Sequence, residues 1–318
     1  MKRTLLIIPI LLALLASCGQ ASTESMQQTA VAQSIMLQLQ VKQTMSALAL
    51  TPTITPTPLP ATATPPATDT PQPTPTPTWV HHDRAEYIYA PILLYHHIRD
   101  VDNPNRYDVS LDTFSKQLQA LKDWGYTPIT ISTLANVIRN GGDLPEKPIM
   151  ISFDDGDIDI YQNAFPIMKK YGFMGTFYIV GNRVGADQFV NADQIKELID
   201  NGWEIGCHGF SHQDMSKDHD AIETEGLHAK KVLQDKLGIT INSFAYPYGG
   251  FDAEVGNHIA GYGYSSGAGL GTSYIHSPST LFYLSRMEVR GDYNMDAFAM
   301  MLPWSPMTTP VPMPQKNN

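Results

Sequence analysis

Short apolar runs recur along the middle of this chain, and four of them stop on side chains that can bind a metal or carry a proton: PILLYHH, PIMISFDDG, WEIGCHGFSH and SFAYPYGG. Between them, apolar positions fall three and four apart, the spacing of a helix with one buried face. Ser110 caps a predicted helix whose inner face is Phe114, Leu118 and Leu121. A strand near Pro128 to Ile131, a helix opened by Ser132, the strand Ile149 to Phe153 and a helix over Ile160 to Tyr171 follow. GTFYIV reads as a strand, Asn191 caps ADQIKELIDNG, WEIGC is the next strand, and a long helix runs to Leu237 with Gly238 as its C-cap. The series closes with SFAYP, a helix over Glu254 to Ala260, and short strands near Tyr264 to Ser266 and Leu281 to Leu284. Alternating strands and helices predict a parallel sheet, and the number of units suits a barrel better than an open sheet. No glycine-rich phosphate loop interrupts the series, which speaks against a nucleotide-binding doubly wound fold.

Composition bounds the folded part on both sides. Thr51 to Thr78 alternates Thr and Pro, a composition that favours extended polyproline II and cannot bury a core, so residues 51–78 read as a stalk. Upstream, Lys2 and Arg3, the apolar run Leu5 through Ala16 and the small residues before Cys18 have the layout of a cleaved export signal. The run is too short to span a bilayer. A cysteine at the cleavage site makes residues 1–17 resemble a bacterial lipoprotein signal with Cys18 as the acylated N-terminus, the alternative being an ordinary secretory signal. Either way the chain is expected outside the cytoplasm, and in the first case lipid-anchored to the cell membrane. Residues 18–50 read as a weakly helical spacer and 303–318 as a disordered tail, leaving 79–302 as the folded domain.

With Cys18 acylated only Cys207 remains, so no intramolecular disulfide is expected and a large core must do the stabilising. The net charge of −10, more negative still once Lys2 and Arg3 leave with the signal, speaks against a nucleic-acid partner. No obligate protein partner is indicated.

If the apolar runs are parallel strands, their carboxyl ends meet on one rim, where barrels keep their chemistry. That rim would hold Asp154, Asp155, His208, His212 and one of His96 or His97. Taken alone, Asp154-Asp155-Gly156 is a turn-forming sequence. The acids from Asp155 to Asp159 alternate as in a calcium loop, but Ile160 and Pro166 stand where that loop needs glycine and glutamate. His208 and His212 lie four apart, so one helical turn or a tight loop would aim both at one ion. Cys207 reads as a small core residue rather than a thiolate ligand. His81, His82, His219, His228, His258 and His276 have no partner in the pattern and read as surface residues. Tyr248, Phe251, Tyr293 and Trp304 are as suited to packing as to stacking on sugar rings.

ISFDDG followed by HGFSH resembles the first two motifs of the polysaccharide deacetylases, carbohydrate esterase family four, over roughly Pro91 to Leu302. FAYPYG is similar to the third motif, and ILLYHHI with SRMEVRGDYNMDAF resembles the poly-N-acetylglucosamine deacetylase branch. The resemblance implies an α/β fold, a distorted (β/α)7 barrel of the TIM-barrel kind. It also implies a divalent ion, Zn2+ with Co2+ or Ni2+ as alternatives, held by Asp155, His208 and His212. Asp154 would be the general base, the backbone N–H of Tyr248 an oxyanion donor, and His96, or alternatively His97, the acid. The implied activity is removal of N-acetyl groups from an extracytoplasmic N-acetylglucosamine polysaccharide. Alternatives are O-acetyl ester hydrolysis on the same scaffold and a catalytically weak glycan-binding module. The sequence departs from the family at motif three, where many members carry an arginine that orients the base and this chain offers none. Arg286 or Arg290 is expected to reach that place from the next strands.

Overall fold

Pro148–Phe153 is buried along its whole length, as a strand covered on both faces must be. It is the centre of a parallel sheet whose strands we number β1 Ile92–Tyr95, β2 Pro148–Phe153, β3 Thr176–Ile179, β4 Glu204–Cys207, β5 Ser243–Ala245, β6 Ser266–Ala268 and β7 Met287–Glu288. Hydrogen bonding follows the order β6-β5-β4-β3-β2-β1-β7, parallel at every step. The short strand Thr127–Pro128 joins the amino end of β2 off this path. Beyond β6, the N–H groups of Gly269 and Gly271 donate to the carbonyls of Leu284 and Arg286, each at 2.9 Å, so the sheet curls until the segment entering β7 lies along β6. All carboxyl ends therefore face one rim. The computed structural model describes residues 77–84 and 86–308. The expected signal, Cys18, the spacer, the stalk through residue 76 and the tail from residue 309 lie outside them. No helix among the described residues is long and apolar enough to cross a membrane.

Helices follow the strands: α1 Leu111–Asp123, α2 Ile131–Asn140, α3 Phe165–Tyr171, α4 Ala192–Asp200, α5 Ala229–Leu237, α6 Ala253–Gly261 and α7 Met295–Met300. Ser110 caps α1 by accepting from the Thr113 N–H, and α1 buries Phe114, Leu118 and Leu121. Asn191 and Gln194 form a reciprocal capping box on α4, and α5 ends on left-handed Gly238. Wide π-helical turns, Ile160–Ala164 and Glu223–His228, lead into α3 and α5. The helices cover a core in which Phe153 stacks with Trp203, ring centroids 5.5 Å apart, and with Tyr95 at 5.7 Å.

Four expectations need correction. The second helix is opened by Thr130, whose hydroxyl accepts from the Thr133 N–H, whereas the N–H and hydroxyl of Ser132 both donate to Glu204 at 2.8 Å. Leu281 to Leu284 is a turn rather than a strand; it meets β6 where Leu281 accepts the Gly267 N–H at 3.0 Å and Leu284 bridges to Ala268, and the edge strand lies further on at β7. Packing also continues past Leu302: the Trp304 N–H donates to the Tyr126 hydroxyl and Ser305 is buried, its hydroxyl on the Ala299 carbonyl. Finally, His82 and His276 are buried rather than on the surface.

His276 has a thermodynamic consequence. It is fully buried in the short antiparallel pair of Ile275–His276 with Ile88–Tyr89, and its Nε2 donates to the Ala90 carbonyl at 3.0 Å. Burial pushes the imidazole down to about 4, the hydrogen bond to Ala90 opposing only in part. The unfolded chain binds this proton more readily, so the residue's contribution is complete above its unfolded pKa of 6.5 and is lost as pH falls toward 4. At about 1.4 kcal/mol per pH unit, that is about 3 kcal/mol. Urea unfolding of the domain between pH 7 and pH 4 should show this loss, and His276→Gln should flatten that part of the profile. An unchanged slope would assign the loss elsewhere.

Candidate active site

The rim carries its candidate residues because each strand's register places them there. Tyr95 pairs with Phe153 across β1 and β2, so His96 and Asp154 leave the sheet side by side. Cys207 pairs with Ile179 on one side and Phe244 on the other, which puts His208 at the same level. Four non-glycine residues among those described have left-handed backbone, and three of them, Asp155 (φ 74°), His212 (φ 70°) and Tyr248 (φ 59°), belong to this rim. Such conformations cost on the order of 1–3 kcal/mol each and persist only where the surroundings hold them.

Asp154 is buried and gripped by both arms of Arg286, Nη1 to Oδ1 at 2.6 Å and Nη2 to Oδ2 at 2.8 Å. Arg286 is itself buried, donates Nε–H to the Gly269 carbonyl at 3.1 Å, and lies over the Tyr178 ring. Burial alone would raise the Asp154 carboxyl, but the Arg286 charge, with His208 and the Arg286 hydrogen bonds, holds it well below the usual carboxylate range. Asp154 is therefore an anion at neutral pH. Arg290, the other residue expected to reach this place, pairs instead with Asp292 at the surface, Nη2 to Oδ2 at 2.9 Å.

Next to this pair, one donor atom each from Asp155, His208 and His212 lies within 4.8 Å of the others. His208 donates Nδ1–H to the Ala245 carbonyl at 2.8 Å, which leaves the Nε2 lone pair for the site, 3.6 Å from Asp154 Oδ2. His212 Nε2 is 3.2 Å from Asp155 Oδ1, and Arg183 donates to that same oxygen at 3.2 Å. Burial and the neighbouring His208 ring lower the pKa of His212, so its imidazole is neutral at pH 7. One carboxylate and two imidazoles are a donor set that a zinc-like ion accepts while keeping positions open. The residues present fit such an ion, and no other group of three His, Cys, Asp or Glu among the described residues gathers this closely. Cys207 takes no part: its thiol is buried and pushed up to about 12.

The two histidines after β1 diverge. His97 turns to Asp159, Nδ1 to Oδ2 at 3.4 Å. His96 packs its ring 4.6 Å from that of Tyr107 and lies within the fields of Asp154, Asp155 and Arg286; burial outweighs the carboxylates and lowers its pKa. Tyr248 stands exposed at the rim, its ring 4.6 Å from that of His212. Of the other aromatic candidates, Phe251 packs on Tyr246 and Tyr283, and Trp304 on Tyr126.

Two residues absent from the sequence reading complete the site. One is Arg183, on Asp155. The other is Glu225, fully buried in the π-helical turn before α5. Its Oε2 accepts the N–H groups of Phe210 (2.9 Å), Ser211 (3.2 Å), His212 (3.0 Å) and Gln213 (3.3 Å), while Oε1 accepts the Ser211 N–H (3.0 Å) and hydroxyl (2.6 Å). A side-chain carboxylate thus fills a cradle of successive backbone donors of the kind that elsewhere holds anions. Gly209 (φ +81°) is obligatory beside it, because a Cβ there would run into the same carboxylate. A signal for Glu225 did exist: it shares the spacing of Ile222, Gly226, Ala229 and Leu233, placing one acid on an apolar helix face.

Residues 141–267 match the family model for polysaccharide deacetylase. The poly-β-1,6-N-acetyl-D-glucosamine N-deacetylase of Staphylococcus aureus is 28% identical over 201 residues, 58% of this chain and 69% of that one. The chain carries a polysaccharide deacetylase domain. The solved deacetylase PplD of Streptococcus pyogenes, in complex with acetate, superimposes with a TM-score of 0.60 at 25% identity, covering 71% of this deacetylase and 99% of its own chain. A polysaccharide deacetylase from Bacillus cereus gives 0.60 at 26% identity, over 68% of this chain and 69% of its own. In this polysaccharide deacetylase the guanidinium beside Asp154 arrives from Arg286, on the segment entering β7, rather than from the third motif.

Proposed function

We propose that this deacetylase removes N-acetyl groups from an N-acetylglucosamine-containing polysaccharide outside the cytoplasm, with a divalent ion, Zn2+ by preference, held by Asp155, His208 and His212. The observation that carries the reading is the adjacency of that three-donor cluster to an ionised, buried Asp154 fixed by Arg286. The placement outside the cell, with the lipid on Cys18, rests on the sequence of the first 18 residues, and the choice of glycan on the likeness to the staphylococcal enzyme.

An ion held there supplies Lewis acidity to the acetamide carbonyl and to the attacking water. Asp154 accepts the proton that the water gives up as its oxygen bonds to the carbonyl carbon. Arg286 keeps both carboxylate oxygens in place during that transfer, and the burial of the pair excludes competing water. The Tyr248 N–H donates to the oxygen as it gains negative charge, an interaction whose loss typically costs about 3 kcal/mol. His96, neutral at rest because burial lowers its pKa, delivers a proton to the nitrogen as the C–N bond breaks, and the proton that Asp154 took from the water makes up for it, so that the amine leaves neutral with acetic acid, which ionises to acetate. His97 is committed to Asp159 and does not share this task.

A degenerate binding module was attractive only while motif three lacked its arginine; Arg286 removes that motive. The test uses the purified full chain without its signal. It should hold about one divalent ion per molecule and release acetate from β-1,6-linked N-acetylglucosamine oligomers, with release abolished by chelation and restored by added zinc or cobalt. Acetate released from O-acetylated but not from N-acetylated glycans would replace this reading with ester hydrolysis.

A further inference from the structure

Arg286 has a long side chain, and a two-armed grip on Asp154 depends on the plane of its guanidinium as well as on its position. Its hydrogen bonds to the Gly269 carbonyl and to both Asp154 oxygens run within that plane and leave its faces free. One face meets Tyr178, with Cζ 5.2 Å from the ring centroid. Ser152 pairs with Thr176 across β2 and β3, so Tyr178, two residues on, stands at the level of Asp154 and on the same side of the sheet. It belongs to the core inside the curl, with Ile92, Met150, Ala245 and Leu284.

The chain gives up stability to keep that ring in place. Gly206 is the register partner of Tyr178 in β4, and a Cβ there would come within 2.3 and 2.4 Å of two ring carbons. Glycine inside a strand weakens it, and one use of it is to admit a close neighbour. Tyr178 is fully buried and its hydroxyl has no partner among the described residues, a cost that an aliphatic side chain would not carry. Burial, helped by the Glu204 charge, pushes the phenol up, so the residue brings no negative charge to Arg286. What it offers is a neutral π face beside a desolvated cation, a favourable contact. We propose that Tyr178 is a positioning residue for deacetylation: its ring holds the plane of the Arg286 guanidinium and through it aims the two oxygens of Asp154. The proposal rests on the reading of Asp154 as the proton acceptor and names the residue that keeps it aimed.

The experiment compares wild type, Tyr178→Phe, Tyr178→Leu and Gly206→Ala, each as the full chain without its signal, in acetate release from β-1,6-linked N-acetylglucosamine oligomers. A second readout needs no activity: solvent exchange of the Arg286 Nε–H, followed by NMR in metal-free protein and assigned by its absence from Arg286→Lys. Tyr178→Leu removes the ring, and Gly206→Ala displaces it. Both should lower kcat by about tenfold or more, within the range that a misplaced group costs, with KM and bound metal unchanged, and both should speed the Arg286 exchange by about tenfold. Tyr178→Phe keeps the ring and should retain most of the turnover together with the slow exchange. Equal loss in Tyr178→Phe and Tyr178→Leu would assign the effect to the hydroxyl, and a change confined to KM would assign it to substrate contact; either overturns the proposal. So would variants that lower the unfolding temperature and leave kcat and the Arg286 exchange as in wild type. If wild type releases no acetate while the exchange still follows the ring, the deacetylase reading falls and the support of Arg286 stands, whereas acetate release with an exchange indifferent to the ring does the reverse.

Discussion

Asp155→Ala should lose both the divalent ion and acetate release, whereas Asp154→Asn should keep the ion and lose turnover by about a thousandfold, within the range removed with a general base. The two carboxylates are neighbours in sequence, yet the structure gives them different surroundings. Asp155 leaves the strand in a left-handed conformation that turns its Oδ1 toward His212. Asp154 keeps its two oxygens on Arg286, and that grip reserves the residue for proton transfer rather than coordination. Asparagine at 154 preserves size and one acceptor but removes the counter-charge of a buried guanidinium, a change that typically costs about 3–5 kcal/mol. Thermal unfolding must therefore accompany the kinetics. Lys196→Ala is the control, since that ammonium sits on Asp200 at the exposed face of α4 and its loss should leave turnover unchanged. Equal loss of metal in the two aspartate variants would refute the division of roles.

What the sequence disclosed about this site depended on whether the relevant contact leaves a local trace. The Asp pair and the His pair follow apolar strands directly, and parallel strands must bring their carboxyl ends together, so pattern and topology sufficed to gather them. Arg286 was visible only as one of two candidates, because 132 positions separate it from Asp154 and nothing local tells an inward arginine from Arg290, four residues on. The choice between His96 and His97 was of the same kind: alternation says that one points inward, and only the position of Asp159 shows which is drawn away. Boundaries failed for a different reason. Thr130 and Ser132 are both able caps, and the decision fell to Glu204, which lies on another strand and claims Ser132 for itself. His276 and His82 were misplaced because an isolated histidine carries no periodic signature of burial.

Glu225→Gln should weaken binding of the divalent ion by about tenfold, the scale expected when a residue supporting a metal ligand is changed, and Glu225→Ala should weaken it further. The reasoning runs through the backbone. His212 reaches the cluster only in a left-handed conformation, and the loop that imposes it has four consecutive N–H groups turned inward, where each would be costly without an acceptor. Glutamate satisfies all four and the Ser211 hydroxyl with two oxygens. Glutamine offers one oxygen and an amide that can accept nothing, so part of the loop must find other partners and the His212 ring loses its aim. A simple loss of packing would also lower stability, and Glu204→Gln distinguishes the two. That carboxylate accepts a comparable set, the Ser132 N–H and hydroxyl and the Ser243 hydroxyl, but belongs to the network at the start of α2 and takes no part in the metal cluster. Affinity is read by competition with a chelator of known strength on protein stripped of metal, so no activity measurement enters. The positioning role stands if Glu225→Gln alone shifts the dissociation constant while both variants lower the unfolding temperature. It fails if the constant is unchanged, or if Glu204→Gln moves it equally.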